Sequence, residues 1–366
     1  MDNCVIPHGY KATALGIIPQ EWEVMLLGNL SNSISSGRNK HRDAHGQYPV
    51  FGSTGIIGYS STYEYEGPVI LVARVGANAG TLNFASGQYD VSDNTLIITI
   101  KQNVYDYNFA YNQLTHYKLN KLVFGSGQPL ITSKQLKNIR IPVPPLAEQR
   151  KIAEVLGVWD KAIEKQARLI EKLALRKRAL MQRLLSAKLR FSEPWKKVKL
   201  GDVAELYQPQ TIQSEDLSQT GYPVYGANGL IGYYNNYNHE YPQVVITCRG
   251  SSCGTVNFTP GKCWITGNAM VLNVDNNRDV NKSFFYYLIS NSSFVNLISG
   301  SGQPQIVRQP LLKFELRIPP LKEQTAIAEV LTAADREIDL AKEKLERLRR
   351  QKRGLMQQLL TGKKRI

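Results

Sequence analysis

Laid on itself with an offset of about 175 residues, the sequence repeats from near its start to its end. Glu21-Trp22-Glu23 with Leu27-Gly28 returns as Pro194-Trp195-Lys196 with Leu200-Gly201. Tyr48 to Tyr59 (YPVFGSTGIIGY) returns as Tyr222 to Tyr233 (YPVYGANGLIGY), ten of the twelve positions agreeing once conservative exchanges count. Gly80-Thr81-Leu82-Asn83-Phe84 returns as Gly254-Thr255-Val256-Asn257-Phe258, each preceded by an arginine at a strand end, Arg74 or Arg249. Gly125-Ser126-Gly127-Gln128-Pro129 returns as Gly300-Ser301-Gly302-Gln303-Pro304, and Pro144-Pro145-Leu146-Ala147-Glu148-Gln149 as Pro319-Pro320-Leu321-Lys322-Glu323-Gln324. Solenoid units recur every ~20 to 50 residues, so a period this long specifies two domains related by duplication.

Each copy changes texture at its double proline. Upstream, Val69–Val72, Thr95–Ile100, Val244–Thr247 and Ala269–Val274 are β-branched runs bounded by Gly, Asn and Asp, which read as strands. Tyr107–Leu119 and Ser283–Ile298 read as helices carrying aromatics. Downstream of Pro145 and Pro320 stand about forty residues of Leu, Ile, Ala, Glu, Lys, Arg and Gln without proline, a composition for one long helix. The expected class is therefore α+β, with heads at residues 1–145 and 191–320 and helices at 146–190 and 321–366.

Both helices carry a heptad seam. In the first, Ile152, Leu156, Trp159, Ile163, Gln166, Ile170, Leu173, Lys177, Leu180 and Leu184 alternate steps of four and three. In the second, Ile327, Leu331, Ala334, Ile338, Ala341, Leu345, Leu348, Lys352, Leu355 and Leu359 occupy the same places. The alternative is two amphipathic helices packed on separate domains, but ten heptad matches in both copies favour mutual pairing. An antiparallel pair with a pseudo-twofold axis is the simplest closed arrangement, holding the heads at opposite ends of a spacer about 60 Å long. Full overlap sets Ile152 against Leu359, Leu156 against Leu355, Trp159 against Lys352, Ile163 against Leu348 and Leu184 against Ile327. The Lys352 stem would then lie on the Trp159 face.

The charge follows the helices. The whole chain has 45 basic and 30 acidic residues, a net +15, yet residues 1–145 hold 11 and 9 and residues 191–320 hold 10 and 9. The excess sits in 146–190, with 12 and 5, and in 321–366, with 12 and 7. A one-signed helix surface points to phosphates or acidic partner surfaces, with nucleic acid ahead of membrane. Four scattered cysteines, Cys4, Cys248, Cys253 and Cys263, fit reduced thiols better than a disulfide framework. With no membrane-length apolar run and no signal-peptide pattern at the start, the expected setting is the cytoplasm.

The tandem heads, the PPLxEQ segment leading into each long helix, the YPVxGxxGxIGY and GTxNF motifs and the GSGQP loop together resemble the specificity subunits of type I restriction-modification systems. The resemblance covers nearly the whole chain. It implies two target recognition domains, each reading one half of a bipartite site in double-stranded DNA, with the helices acting as a ruler. It implies two methyltransferase (modification) subunits docked around the helices, and restriction subunits that complete a nuclease. S-adenosylmethionine, ATP and Mg would belong to those partners and none would be bound by this chain, a non-catalytic subunit. The sequence lacks an NPPY or DPPY adenine-holding motif, a GxxxxGK[ST] loop, HExxH and paired CxxC sets. The first-copy counterparts of Cys248, Cys253 and Cys263 read as Ala73, Ala79 and Tyr89, which argues against a zinc site.

Candidate DNA contacts fall where the copies differ or where strands end. Arg38, Lys40 and Arg42 in the first head suit guanine or phosphate, and Gln208, Gln210 and Gln213 in the second suit adenine, although both stretches also read as ordinary solvated loops. Arg74 and Arg249 project from strand ends, Asn94 and Asn268 follow similar turns, and Gln128 and Gln303 lie in the GSGQP loops, which could instead dock the head onto the coiled coil. Trp22 and Trp195 read as core anchors. Coiled-coil contacts are expected from Ile152, Leu156, Trp159, Ile163, Ile170, Leu173, Leu180, Leu184, Ile327, Leu331, Ile338, Leu345, Leu348, Leu355 and Leu359. Rival readings are a self-sufficient DNA enzyme, a coiled-coil scaffold binding only proteins, and an orphan subunit serving methylation alone; the isolated chain could also self-associate.

Overall fold

The computed structural model describes residues 6–40, 43, 45–124, 129–186, 194–226, 229–300 and 302–366. The chain forms two compact units, residues 1–166 with 344–366 and residues 167–343. Both cuts fall inside the long helices, which run Leu146–Leu184 and Leu321–Leu359.

In the first unit the central sheet has the order Ser31–Ser36, Thr95–Ile100, Val69–Ala73, Leu82–Ala85, all neighbours antiparallel. Its inner strands are buried on both faces, which is why they read as unbroken apolar runs. Ile70, Val72, Leu96 and Ile98 face a core shared with the helix Tyr107–Tyr117, whereas Val69, Leu71 and Ile97 face Tyr89 and Val91 of a second sheet. That second sheet orders Gly55–Ser60, Tyr48–Gly52, Gln88–Val91 and Tyr65–Glu66, with Tyr48–Gly52 and Gln88–Val91 parallel.

The second unit repeats this plan in topology and register. Glu205–Tyr207, Ala269–Asn273, Val244–Thr247 and Val256–Phe258 form the central sheet, and Gly229–Tyr234, Tyr222–Gly226 and Trp264–Ile265 the second. Ile70 pairs with Ile98 and Phe84; Val244 pairs with Leu272 and Phe258. Even the irregularity recurs, between Val50 and Phe51 and between Val224 and Tyr225. The identical glycines of this hairpin have two causes: a Cβ at Gly52 or Gly226 would come 2.6 or 3.1 Å from the Cδ1 of Ile57 or Ile231, whereas Gly55 and Gly229 take φ of 101° and 91°.

One expectation about elements needs correction. The helix expected over Ser283–Ile298 runs only Lys282–Ser290, followed by a one-turn 3₁₀ segment at Val295–Leu297. Asn291-Ser292-Ser293 offers competing polar side chains, and Ser292 Oγ donates to the Leu288 carbonyl at 2.8 Å. At the seam, the Lys352 ammonium lies 2.5 Å from Asp160 Oδ1.

Within each unit the helices pack antiparallel. In the first, Ile152 and Leu156 share a core with Met356, Leu359 and Leu360, and Arg365 reaches Glu148 while Lys352 reaches Asp160. In the second, Leu184 and Leu185 join Ile327 and Leu331, Leu173 joins Ile338 and Ala341, and Arg176 and Lys177 pair with Glu337 and Asp335. As one helix advances, its partner retreats residue for residue. All fifteen expected seam residues are buried or half-buried.

Head and helix are joined by the PPLxEQ segments. Gln149, fully buried, accepts from Asp106 N at 2.9 Å and donates to the Val104 and Pro144 carbonyls. Gln324 does the same with Asn281 N and the Asp279 and Pro319 carbonyls. Trp22 and Trp195 are anchors with a polar handle: their Nε1 atoms donate to Glu148 and Glu323 at 3.1 and 3.0 Å.

Candidate nucleic-acid interface

The segments carrying the candidate contacts converge on one end of the central sheet in each unit. In the first, Ser36, Thr95 and Ala73 mark that end by their register, and the chain leaves it at Gly37, Asn94 and Arg74. Arg74 N donates to the Asn94 carbonyl at 2.9 Å, Arg38 N to the Val91 carbonyl at 3.0 Å, and Gly76 N to the Pro129 carbonyl at 2.9 Å. The Tyr48–Ser60 hairpin turns beside it, since Ser92 N donates to the Phe51 carbonyl at 2.9 Å. The long helix is tied to the other end of the sheet, through Asp106 and Val104, which follow Ile100.

Arg38, Lys40 and Asn94 are exposed. The Arg38 guanidinium lies 3.8 Å from Glu64, an exposed pair of little energetic weight. Arg74 is half-buried; its Nη1 donates to Ser36 Oγ at 3.2 Å, and its Nε is buried with no partner among the described residues. Arg42 and Gln128 lie outside the described residues.

The second unit assembles the same end from Gln208, Cys248, Arg249 and Asn268, with Gly250 N bonded to the Pro304 carbonyl at 3.0 Å. Gln208, Gln210, Arg249, Asn268 and Gln303 are exposed. Gln208 Nε2 donates to the Gly267 carbonyl at 3.0 Å, and the Gln210 carbonyl accepts from Trp264 Nε1 at 3.3 Å. Gln213, also exposed, lies farther along at the start of a 3₁₀ turn, and no side-chain hydrogen bond among the described residues ties it to the sheet end.

The two arginines read as equivalents are not equivalent. Cys248 N donates to the Asn268 carbonyl and Ile306 N to the Cys248 carbonyl, matching Arg74 N with Asn94 and Ile131 N with Arg74. Arg74 therefore corresponds to Cys248, not Arg249, and Cys248 does not correspond to Ala73. The repeat offset is one residue shorter through the sheets than through the helices, which shifts the match. Arg249 stands instead where Val75 does, each in a backbone bridge with the segment after the GSGQP loop. Burial pushes the Cys248 thiol up to about 11, so it is protonated at neutral pH. No cluster of three metal-ligating side chains occurs among the described residues.

Sequence reasoning missed Ser36, Cys248 as a site residue and the apolar flank of the hairpin, where Ile56, Ile57, Leu230 and Ile231 are exposed. The repeated YPVxGxxGxIGY motif was the available signal for the hairpin. A single serine at the end of a polar edge strand gives none.

The family model described as "Type I restriction modification DNA specificity domain" matches residues 19–174 and again 192–350. The MjaVIII specificity subunit of a type I restriction enzyme from Methanocaldococcus jannaschii is 24% identical over 95% of this chain and 94% of its own length. A putative MjaX specificity subunit from the same organism is 25% identical over 98% and 97%. The crystal structure of a type I restriction-modification S subunit from M. genitalium shares the fold, with a TM-score of 0.67 at 19% identity, covering 93% of this chain and 96% of that one.

Proposed function

The chain belongs to the type I restriction-modification DNA specificity family, and from that premise we propose that each of its units reads one half of a bipartite site in duplex DNA through the loops at the free end of its central sheet. The observation that carries this reading is the convergence of the polar loops in both units on the same sheet end, on a shared backbone frame but with unlike side chains. Arg38, Lys40 and Arg74 give the first unit a cationic set suited to guanine and phosphate. Gln208, Gln210 and Asn268 give the second an amide set suited to adenine, with Arg249 beside it.

The paired helices act as the ruler and as the dock for two methyltransferase subunits, with restriction subunits joining that assembly. Their basic surface, together with exposed apolar residues such as Val158 on the first helix and Val330 and Leu340 on the second, suits protein partners as well as phosphate. S-adenosylmethionine, ATP and Mg act on those partners, and this chain supplies recognition without catalysis.

Sequencing of N6-methyladenine in DNA modified by the complex of this chain with its methyltransferase subunits tests the reading. The expected pattern is two unlike half-sites separated by a fixed gap. Four residues inserted into both helices add about 6 Å of rise, and should widen the gap by one or two base pairs at ~3.4 Å each with both half-sites unchanged. An unaltered gap would remove the ruler; a single undivided site would remove the two-reader scheme.

A further inference from the structure

We propose that one two-residue socket, Ser36 with Arg74 in the first unit and Gln208 with Cys248 in the second, is a base-reading position that duplication preserved in place and changed in chemistry. The inference rests on the DNA-reading proposal and narrows it to a single pair of side chains in each unit.

The equivalence is fixed by register. Ile34 pairs with Ile98 as Leu206 pairs with Leu272, and two residues on stand Ser36 and Gln208. Arg74 and Cys248 are matched by the carbonyls of Asn94 and Asn268 and by the amides of Ile131 and Ile306. On this common frame the side-chain lengths are exchanged. The first unit sets a long arginine against a short serine, the second a short cysteine against a long glutamine. In the first, the short side chain braces the long one: Ser36 Oγ accepts from Arg74 Nη1 at 3.2 Å. In the second, the Cys248 thiol donates to the Ile246 carbonyl at 3.5 Å, and the Gln208 amide is oriented by the Gly267 carbonyl, to which its Nε2 donates at 3.0 Å.

What the two sockets offer a ligand differs in kind. Arg74 has donors only, and among the described residues its side chain bonds Ser36 and no carboxylate. A half-buried guanidinium with donors to spare is matched by a rigid pair of acceptors, which guanine O6 and N7 supply in the major groove. A carboxamide has both a donor and an acceptor, the complement of adenine N6 and N7. The first half-site should therefore hold a guanine, and the second an adenine, at the position each socket faces.

The test exchanges the sockets in the full chain, assembled with its methyltransferase subunits, and reads methylated sites by sequencing. In the second unit, Gln208→Ser with Cys248→Arg should move one position of the second half-site to guanine, by roughly tenfold or more, leaving the first half-site and the gap as they were. Ser36→Gln with Arg74→Cys should move the first half-site the opposite way. Should either exchange fail to fold, Arg74→Lys keeps the charge but loses the bidentate fork, and is expected to relax one position of the first half-site alone. Half-sites unchanged in a methylating exchange complex, or an Arg74→Lys protein with full selectivity, would overturn the socket. A wild-type complex giving no bipartite pattern would instead overturn the DNA-reading scheme beneath it.

Discussion

Gln149 and Gln324 show how much one side chain can hold when its partners are all backbone. Each ties the start of a long helix to two carbonyls and one amide of its head, at 2.8 to 2.9 Å. Gln149→Ala would leave three backbone groups without their partner, the buried Pro144 carbonyl among them, and should destabilise the first unit by on the order of 2 kcal/mol, measurable by chemical denaturation. The motif was visible as a repeat, but its task was not, because Asp106 and Val104 lie more than forty residues upstream and offer only main-chain atoms. His239 gives a pH-dependent counterpart. Its Nε2 bonds Tyr207 Oη at 2.9 Å, and burial, opposed by Asp275, holds the ring below the ordinary histidine value. The unfolded chain thus takes up the proton first, and stability should fall as the pH drops below about 6.5. His116, lowered by burial, Lys118 and Lys121, adds to the same slope. His239→Gln should flatten part of the dependence in thermal melts taken between pH 7.5 and 5; an unchanged slope would show that His239 does not contribute to it.

At the level of elements, the seam was legible because a heptad repeat is a geometric statement needing no knowledge of the partner. The two lysines inside it were legible as exceptions but their solution was not. Lys352 and Lys177 retain only 14% and 20% side-chain exposure, and each pairs with an aspartate of the opposite helix, Asp160 or Asp335. A largely desolvated ammonium gains more from a carboxylate than from an indole face, so the partner is the residue after Trp159. Lys177 also lies 5.4 Å over the Tyr287 ring, whose hydroxyl donates to Asp335 at 2.8 Å. A double-mutant cycle on Lys352→Met and Asp160→Asn should return a coupling of about 1 kcal/mol, and a value near zero would mean the pair is incidental to register. The inner strands Val69–Ala73, Thr95–Ile100, Val244–Thr247 and Ala269–Asn273 were legible as apolar runs, whereas polar edge strands such as Ser31–Ser36 were not. Register was not legible either, and one residue of slippage there is what set Arg74 beside the wrong counterpart.

For the molecule as a whole, the compact units do not follow the order of the sequence. The first takes residues 344–366 into itself: Met356, Leu359 and Leu360 enter its core, and Arg365 bonds Glu148 and Glu21. Deleting 344–366 should therefore damage the half of the chain farthest away in sequence. Hydrogen exchange should show lost protection in Val69–Ala73 and Thr95–Ile100, with Val244–Thr247 and Ala269–Asn273 still protected; uniform loss would contradict the division. The same closure bears on biosynthesis. While the ribosome is still reading the second half, the first head has emerged but waits with Ile152 and Leu156 uncovered. Only when residues 344–366 have been made can the earlier-made head be sealed, so an apolar helix face stays open to solvent throughout the synthesis of the second head.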